Sequence, residues 1–371
     1  MAQPPPDLTQ PPPDSLVLAA FDGLRNVSQP ERLAPGELEV AINVDVDDRG
    51  QLRRRVGYRR VLTGAVHSLF TCDDGSVLAV HDGDLGVVLP DYSFRPLGAF
   101  VGDDPLAYVQ VGNAVYFSSR VTNGKVVDGA RVDRWGIDGD LWLTPVEDTT
   151  NVGQVAGRSM MPPPLATGLC WNQGRIYLAS GRLVWATDLF NYEMVDRVRG
   201  FWQFEGDIAF IGSVTAGIYV GTSEGVWYVG GTFREPKRIR VMDGAAIPGS
   251  LVSIPAELAN PVAIRRKPDQ ELKVGLAFMT VHGYCVGYDD GQAFNMTEDK
   301  FLFPGAVRAH ATFRREEGIN QYLAVLDSGG TPMNTAQIGD YVDAEIVRAG
   351  DRWPIQTEGV RIGDQFTIQI I

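Results

Sequence analysis

The four histidines are the first candidates for acid–base or metal chemistry. They are His67, His81, His282 and His310, spread along the whole sequence. No carboxylate or cysteine stands at metal-ligand spacing from any of them, even around the turn that His67 and His81 flank. The sequence also contains neither a Gly-x-Ser-x-Gly elbow nor a phosphate-binding Gly-x-x-x-x-Gly-Lys-Ser/Thr loop. We therefore interpret the histidines as structural and expect no metal, no other cofactor and no enzymatic activity.

Two acidic turns resemble ligand-binding motifs without completing them. Residues 45–50 resemble the start of a calcium loop, but Arg49 occupies a ligand position and Val56 stands where a bidentate glutamate is needed. Residues 71–78 resemble the Asp-box turn of sialidases without its final aromatic residue. Sialidase chemistry needs an arginine cluster around a carboxylate and a Tyr–Glu nucleophile pair. Because distant segments supply such a set, the sequence does not exclude a hydrolase.

The composition limits the classes of protein that need to be considered. The chain has 371 residues, of which 44% are hydrophobic and 21% charged, which is typical of one large globular β domain or two smaller ones. The net charge of −13 argues against general nucleic-acid binding, since phosphate affinity needs a basic face. It is compatible with an acidic channel that repels DNA from its wall. No apolar run is long enough for a membrane span, and residues 1–10 lack a signal-peptide pattern.

Cysteine usage indicates neither a disulfide framework nor a zinc site. Cys72, Cys170 and Cys285 are odd in number and far apart, without the paired spacing that either would need. We therefore expect a reducing site of synthesis.

From residue 65 onward, short strand patterns alternate with glycine turns. The clearest unit has a strand at 167–171, a turn at Asn172-Gln173-Gly174, a strand at 175–179 and another at 182–187. Similar units recur at roughly 35–50 residues, the range expected of propeller blades. The sequence thus predicts an all-β fold, a β-propeller of about six blades, with five to seven allowed. Residues 139–164 are predicted to be a loop-like insertion, and 188–198 is the only stretch with a weak helix or turn pattern.

The strand aromatics are interpreted as packing between blades, not as a stacked sugar site. They are Trp171, Trp185, Trp202, Trp227, Tyr177, Tyr219 and Tyr228.

Three regions are predicted from these patterns. Residues 1–15 contain the run Gln-Pro-Pro-Pro-Asp twice, at 3–7 and at 10–14, and are predicted to form an extended Pro-rich arm. Residues 16–330 would form the propeller. Residues 331–371 would be a C-terminal β segment that closes the propeller or is appended to it.

A basic hairpin is predicted just before the blades. Asn43, Asp45 and Asp47 alternate with two valines, and a strand returns after Gly50 with a high density of arginine. The candidate interface residues are Arg53, Arg54, Arg55, Tyr58, Arg59 and Arg60. Two interpretations remain open: an exposed face balanced by nearby aspartates, or a contact with another subunit through bidentate ion pairs.

Residues 21–61 as a whole resemble a known N-terminal pattern. The order is Phe21-Asp22-Gly23-Leu24-Arg25-Asn26, Pro35-Gly36-Glu37, the strand 41–46, Gly50, and Leu52-Arg53-Arg54-Arg55-Val56-Gly57-Tyr58. It resembles the start of phage virion proteins that carry a β-propeller, including the tail nozzle proteins of short-tailed phages. The resemblance implies a structural tail protein, made in the bacterial host cytoplasm. Its subunits would form a ring, commonly a hexamer, that docks adaptor and fibre proteins and lets DNA through its lumen without specific binding.

Two alternatives belong to other classes. One is a receptor- or glycan-binding propeller at the tail tip, which affinity for host surface glycan would favour. The other is a propeller hydrolase, which would lose activity when one carboxylate at the end of a blade is substituted.

Overall fold

A computed structural model gives the arrangement of most of the chain. It describes residues 21, 23–40, 44–46, 51–54, 60–143, 157–254, 275–298, 300, 306–316, 319–327, 346–348, 351–353 and 366–370. Across this part of the chain the regular structure is β, apart from one 3-10 turn at Pro30–Arg32. The predicted Pro-rich arm, residues 1–15, and the predicted calcium-like turn at 47–50 lie outside the described residues.

Four short strands precede the blades. Strands β1 (Gly23–Leu24) and β2 (Glu37–Leu38) pair in parallel, and β3 (Val44–Val46) pairs with β4 (Leu52–Arg54) in antiparallel register.

Six sheets follow one another along the chain, the first five each containing a four-stranded antiparallel meander. Blade I consists of β5 (Val66–Thr71), β6 (Val77–His81), β7 (Asp84–Val88) and β8 (Phe94–Phe100). Blade II consists of β9 (Ala107–Val111), β10 (Ala114–Ser118), β11 (Asn123–Val127) and β12 (Arg131–Asp133).

Blade III carries an extension. Its strands are β13 (Leu141–Leu143), β14 (Arg158–Met161), β15 (Gly168–Asn172), β16 (Arg175–Ser180), β17 (Leu183–Asp188), β18 (Asn191–Asp196) and β19 (Phe201–Gln203). The meander is β15–β16–β17–β19, and the end of β17 also pairs with β18, which continues the sheet to β14 and β13.

Blades IV and V are again four-stranded. Blade IV contains β20 (Ile208–Val214), β21 (Gly217–Thr222), β22 (Gly225–Gly231) and β23 (Pro236–Asp243). Blade V contains β24 (Val252–Ile254), β25 (Gly275–Thr280), β26 (Gly283–Gly287) and β27 (Ala293–Asn295).

The sixth sheet is three-stranded in the described residues and draws one strand from the C-terminal segment. Strands β28 (Arg308–Glu316) and β29 (Ile319–Asp327) form a long hairpin, β30 (Ile346–Arg348) and β31 (Asp351–Trp353) form a separate short one, and β32 (Phe366–Ile370) pairs with β29.

Tight turns explain why these sequences fold as meanders. Asp82 and Gly83 between β6 and β7 both have positive φ, 50° and 84°, and Gln173 and Gly174 between β15 and β16 have 46° and 76°. Two consecutive residues of positive φ match the twist of the flanking strands in a two-residue hairpin. The turn predicted at Asn172-Gln173-Gly174 is therefore confirmed.

Each pair of successive sheets shares its own hydrophobic cluster. Leu78 and Val80 of blade I pack with Val115 and Phe117 of blade II, and four further clusters join blades II to III, III to IV, IV to V and V to the sixth sheet. The first strands of neighbouring sheets also meet, as β9 does with β15 and β15 with β20. Because the sheets pack face to face in chain order, the predicted all-β propeller is confirmed.

Two local predictions were wrong. Residues 139–164 contain β13 and β14 in place of a plain loop, and 188–198 contains β18 in place of a helix or turn. Contacts with residues of blade II and its following turn hold β18: Trp135 Nε1 donates to the Tyr192 carbonyl (2.7 Å), and Lys125 Nζ lies 2.7 Å from Glu193 Oε1. Strand β14 pairs with β18 and with β13.

In the part of the chain that the structure describes, no helix is long and apolar enough to cross a membrane.

Candidate functional site

The structure describes only part of the predicted basic interface. In the β3–β4 hairpin Asp45 is the cross-strand partner of Arg53, and Val44 that of Arg54, whose side chain is exposed. Arg60 is also exposed, and it donates hydrogen bonds to the carbonyls of Leu62 (2.9 Å) and Gly64 (3.2 Å). Arg55, Tyr58 and Arg59 lie outside the described residues.

The segment before this hairpin contacts blade V. The amide of Asn26 donates to the carbonyl of Lys300 (3.0 Å), which follows β27. Within the segment, Arg25 Nη1 lies 3.0 Å from Glu37 Oε1, and the Ala34 amide donates to the same carboxylate (2.9 Å). That amide, followed by Arg25, lowers the pKa of Glu37. The N-terminal segment is therefore held in a defined turn against the propeller.

Two of the histidines and the Asp-box-like turn have structural partners. His67 Nδ1 lies 2.8 Å from Ser68 Oγ, and His81 Nε2 lies 2.7 Å from the Thr63 carbonyl oxygen. Asp74 Oδ1 accepts hydrogen bonds from the amide and hydroxyl of Ser76, which accounts for the Asp-box-like turn. Over the described part of the chain, no three His, Cys, Asp or Glu side chains gather as a metal site would require.

The three cysteines are buried and unpaired. Burial raises the pKa of the Cys170 thiol and raises that of Cys285 to about 12. Neither thiol is therefore ionised near neutral pH, and neither has the low pKa of a cysteine nucleophile.

The candidate site is a cleft of about 450 Å³ between blades III and IV. It lies where the outer strands of blade III face the turn between β22 and β23. We call it the arginine cleft because four guanidinium groups and only two carboxylates line it. These charged residues are Arg158, Arg175, Arg199, Arg234, Asp188 and Asp196.

The inner end of the arginine cleft is a half-buried ion-pair network. Arg158 makes two hydrogen bonds to Asp188, at 2.9 and 2.8 Å, and Arg175 Nη1 lies 3.8 Å from the same carboxylate. Arg158 lowers the pKa of Asp188, while burial lowers the pKa of Arg175. Arg175 also donates to the carbonyl of Thr187 (2.5 Å). Asp188 is thus ionised and held in place at neutral pH.

The outer end of the cleft carries two arginines that, unlike the inner pair, are exposed. Arg199 and Arg234 are exposed, and their guanidinium groups make no hydrogen bond or ion pair with the described residues. Asp196 Oδ1 instead accepts the backbone amides of Val198 (3.0 Å) and Arg199 (3.1 Å). The cleft therefore has a formal excess of two positive charges in a chain whose net charge is −13.

Aromatic side chains fix the walls. Trp202 stacks on Phe233 with ring centroids 5.0 Å apart, and its indole N–H donates to the Phe233 carbonyl (3.1 Å). The Arg175 guanidinium lies 5.2 Å from the centre of the Phe233 ring, a cation–π contact. Arg238 of β23 donates to the carbonyl of Gln203 (3.0 Å). Blades III and IV are thus joined directly behind the cleft.

Sequence reasoning did not find this site. Its residues come from separate segments between residues 158 and 236, and no local motif marks them. The role predicted for the strand aromatics is confirmed for Trp202, Tyr177, Tyr219 and Tyr228, which are buried in clusters between blades. It was wrong for Trp171, which is 41% exposed and whose indole N–H donates to the Tyr192 hydroxyl of its own blade (3.3 Å).

Comparisons with known proteins bear on the fold. No family model matches the sequence, and no curated protein matches it. Among solved structures, the extracellular domain of a hybrid two-component system from B. thetaiotaomicron is 12% identical, with a TM-score of 0.43, 76% of this chain covered and 32% of that one.

Two further structures are similar at the same level. PorZ, a surface component of the type-IX secretion system of Porphyromonas gingivalis, is 10% identical, with a TM-score of 0.41 and coverage of 76% and 34%. AztD from Citrobacter koseri in its apo form is 10% identical, with a TM-score of 0.40 and coverage of 82% and 89%. This chain spans about a third of the two-component and PorZ structures. At these identities the likeness concerns the fold alone.

Proposed function

We propose that this protein is a structural component of a phage tail, a nozzle-like ring subunit that lines part of the DNA-ejection conduit and docks adaptor and fibre proteins. The observation that carries the proposal is the pattern of residues 21–61, which resembles the start of phage virion propeller proteins and leads directly into blade I. The function is mechanical and electrostatic, and no catalysis is assigned to it.

The acidic net charge and two exposed arginines support this proposal. A net charge of −13 repels the phosphate backbone, so DNA would pass through a ring of such subunits without binding to its wall. The exposed arginines of the N-terminal hairpin, Arg54 and Arg60, are suited to bidentate ion pairs with carboxylates of a neighbouring subunit. Ring assembly would then depend on this hairpin.

Electron microscopy of the purified chain tests the proposal. We expect hexameric or dodecameric rings with an open channel, formed by wild type and by the control Arg182→Glu, which changes an exposed arginine of the β16–β17 turn. We expect the double variant Arg54→Glu/Arg60→Glu to remain monomeric with an unchanged thermal unfolding midpoint. A wild-type chain that stays monomeric at every concentration, and is missing from the tail of its native particle, would overturn the proposal.

The second candidate function is receptor or glycan binding at the tail tip, and the arginine cleft is the observation that favours it. The cleft joins free cations, fixed carboxylates and aromatic walls. Its size falls within the range of small-molecule sites, which extends over about 300–1,000 Å³. A binding screen of the intact chain against host surface glycans tests this candidate, and the absence of any binding would contradict it.

A further inference from the structure

We propose that the arginine cleft binds a carboxylate-bearing sugar unit of an acidic glycan, with Arg199 and Arg234 holding the carboxylate. The inference rests on the second candidate function, which it makes specific, and it is independent of ring assembly.

The first step is the sign of the ligand. Arg199 and Arg234 line the cleft from two different blades, Arg199 from the turn before β19 in blade III and Arg234 from the turn before β23 in blade IV. Neither guanidinium is paired with a described residue, so both are available to a ligand. A planar guanidinium presents two parallel N–H groups that match the two oxygens of a carboxylate. An anionic group is therefore the partner that this end of the cleft suits.

The second step concerns the charge and polarity of the rest of the ligand. Asp188 and Asp196 stand in the same cleft, and each ionised carboxylate has about four acceptor positions. Both of these carboxylates would repel the two negative charges of a phosphate. A ligand with one negative charge is repelled less. Carboxylates also accept hydrogen bonds from hydroxyl groups. One acidic group on a ring of hydroxyls satisfies both halves of the cleft.

The third step concerns size and shape. A volume of about 450 Å³ exceeds what a bare ion needs and accommodates a sugar ring with its substituents. Phe201 and Phe233 are only partly buried where they line the cleft, which gives the apolar face of a ring a surface to pack on. The stack of Trp202 on Phe233 and the bond between them hold that surface in place before a ligand arrives. Such preorganisation lowers the entropic cost of binding.

The experiment is titration calorimetry of the full chain with three matched oligosaccharides. One ends in a carboxylated sugar such as glucuronate, the second in the neutral glucose counterpart, and the third in a glucose phosphate. We expect the carboxylated ligand to bind at least about tenfold more tightly than the neutral one, which lacks the charge-assisted hydrogen bonds to arginine. We expect a similar margin over the phosphate, whose second negative charge is repelled by Asp188 and Asp196.

Variants test the place of binding. We expect Arg199→Ala and Arg234→Ala each to weaken binding of the carboxylated ligand about tenfold or more. The matched control is Arg182→Ala, an exposed arginine of blade III outside the cleft, which should bind as wild type does. All three side chains are exposed, so unchanged circular dichroism and thermal unfolding should accompany these effects.

Each other outcome has a definite meaning. Equal or tighter binding of the neutral or phosphorylated ligand would overturn the inference and leave glycan binding standing. Binding of the carboxylated ligand that survives both cleft substitutions would place it elsewhere and overturn the inference as well. No binding of any of the three ligands, and none in the wider glycan screen, would remove the second candidate function together with the inference.

Discussion

The N-terminal hairpin and the arginine cleft both concentrate arginine, but they do so in opposite ways. The predicted hairpin has five arginines between residues 53 and 60 of the sequence. Arg54 and Arg60, whose side chains are described, are exposed, and Arg60 bonds to carbonyls two and four residues away. The cleft collects four arginines from separate strands and turns, and its inner pair bonds the half-buried Asp188 and the buried Thr187, 30 and 12 residues away. Adjacency in sequence produces surface charge, whereas the fold brings exposed arginines of two blades beside a half-buried ion-pair network.

The largest effect should come from breaking the inner ion pair of the cleft. Arg158→Ala leaves the Asp188 carboxylate, whose side chain is 22% exposed, without its two hydrogen bonds. We expect a loss of about 2–3 kcal/mol in the free energy of unfolding, because a half-buried charge is left poorly paired. Urea denaturation measures it. Arg54→Ala in the hairpin is the control and should change nothing measurable; equal effects at the two sites would contradict the comparison.

Acid should weaken the ion pair of the arginine cleft. Arg158 lowers the pKa of Asp188 in the folded protein, so the stability that this carboxylate contributes is present above its unfolded pKa, about 3.9. That stability is lost as pH falls through the lower folded value. We expect the stability difference between wild type and Asp188→Asn to be constant from about pH 5 to 7 and to shrink below about pH 4. A difference that grows on acidification would disprove the assignment.

A smaller effect is expected at the aromatic wall. Trp202→Phe keeps an aromatic ring but removes the N–H bond to the Phe233 carbonyl, so we expect a loss of about 1–2 kcal/mol. Trp171→Phe is the control, since that indole is 41% exposed. Urea denaturation measures the free energy of unfolding of both variants. Equal losses would show that the hydrogen bond from Trp202 to Phe233 does not stabilise the wall of the cleft.

The smallest effect should be at Arg60. Its two hydrogen bonds go to carbonyls of Leu62 and Gly64 in its own neighbourhood, and water can replace them at an exposed position. We expect Arg60→Ala to shift the thermal unfolding midpoint by no more than about 1 °C. Differential scanning calorimetry measures this. A shift of several degrees would mean that the basic hairpin contributes to the fold itself.

Much of the fold follows from local patterns. The glycine turns and the apolar residues around them predicted the strands of the β15–β17 unit and the recurrence of similar units along the chain. Strands β13, β14 and β18 were not predicted because they are short, and because β14 pairs with a strand about 30 residues further along the chain. The arginine cleft was not predicted either, because Arg158, Arg199 and Arg234 come from separate segments and none of them belongs to a recognisable local motif.

The sequence by itself determined the β-propeller class, the positions of most turns and the acidic balance of the protein, because these depend on residue type and on spacing within a few positions. The tertiary structure alone decided that blades III and IV meet with guanidinium groups on both sides of a cleft. Burial, ion-pair geometry and the shifted pKa of Asp188 arise only when segments distant along the chain pack together and exclude water.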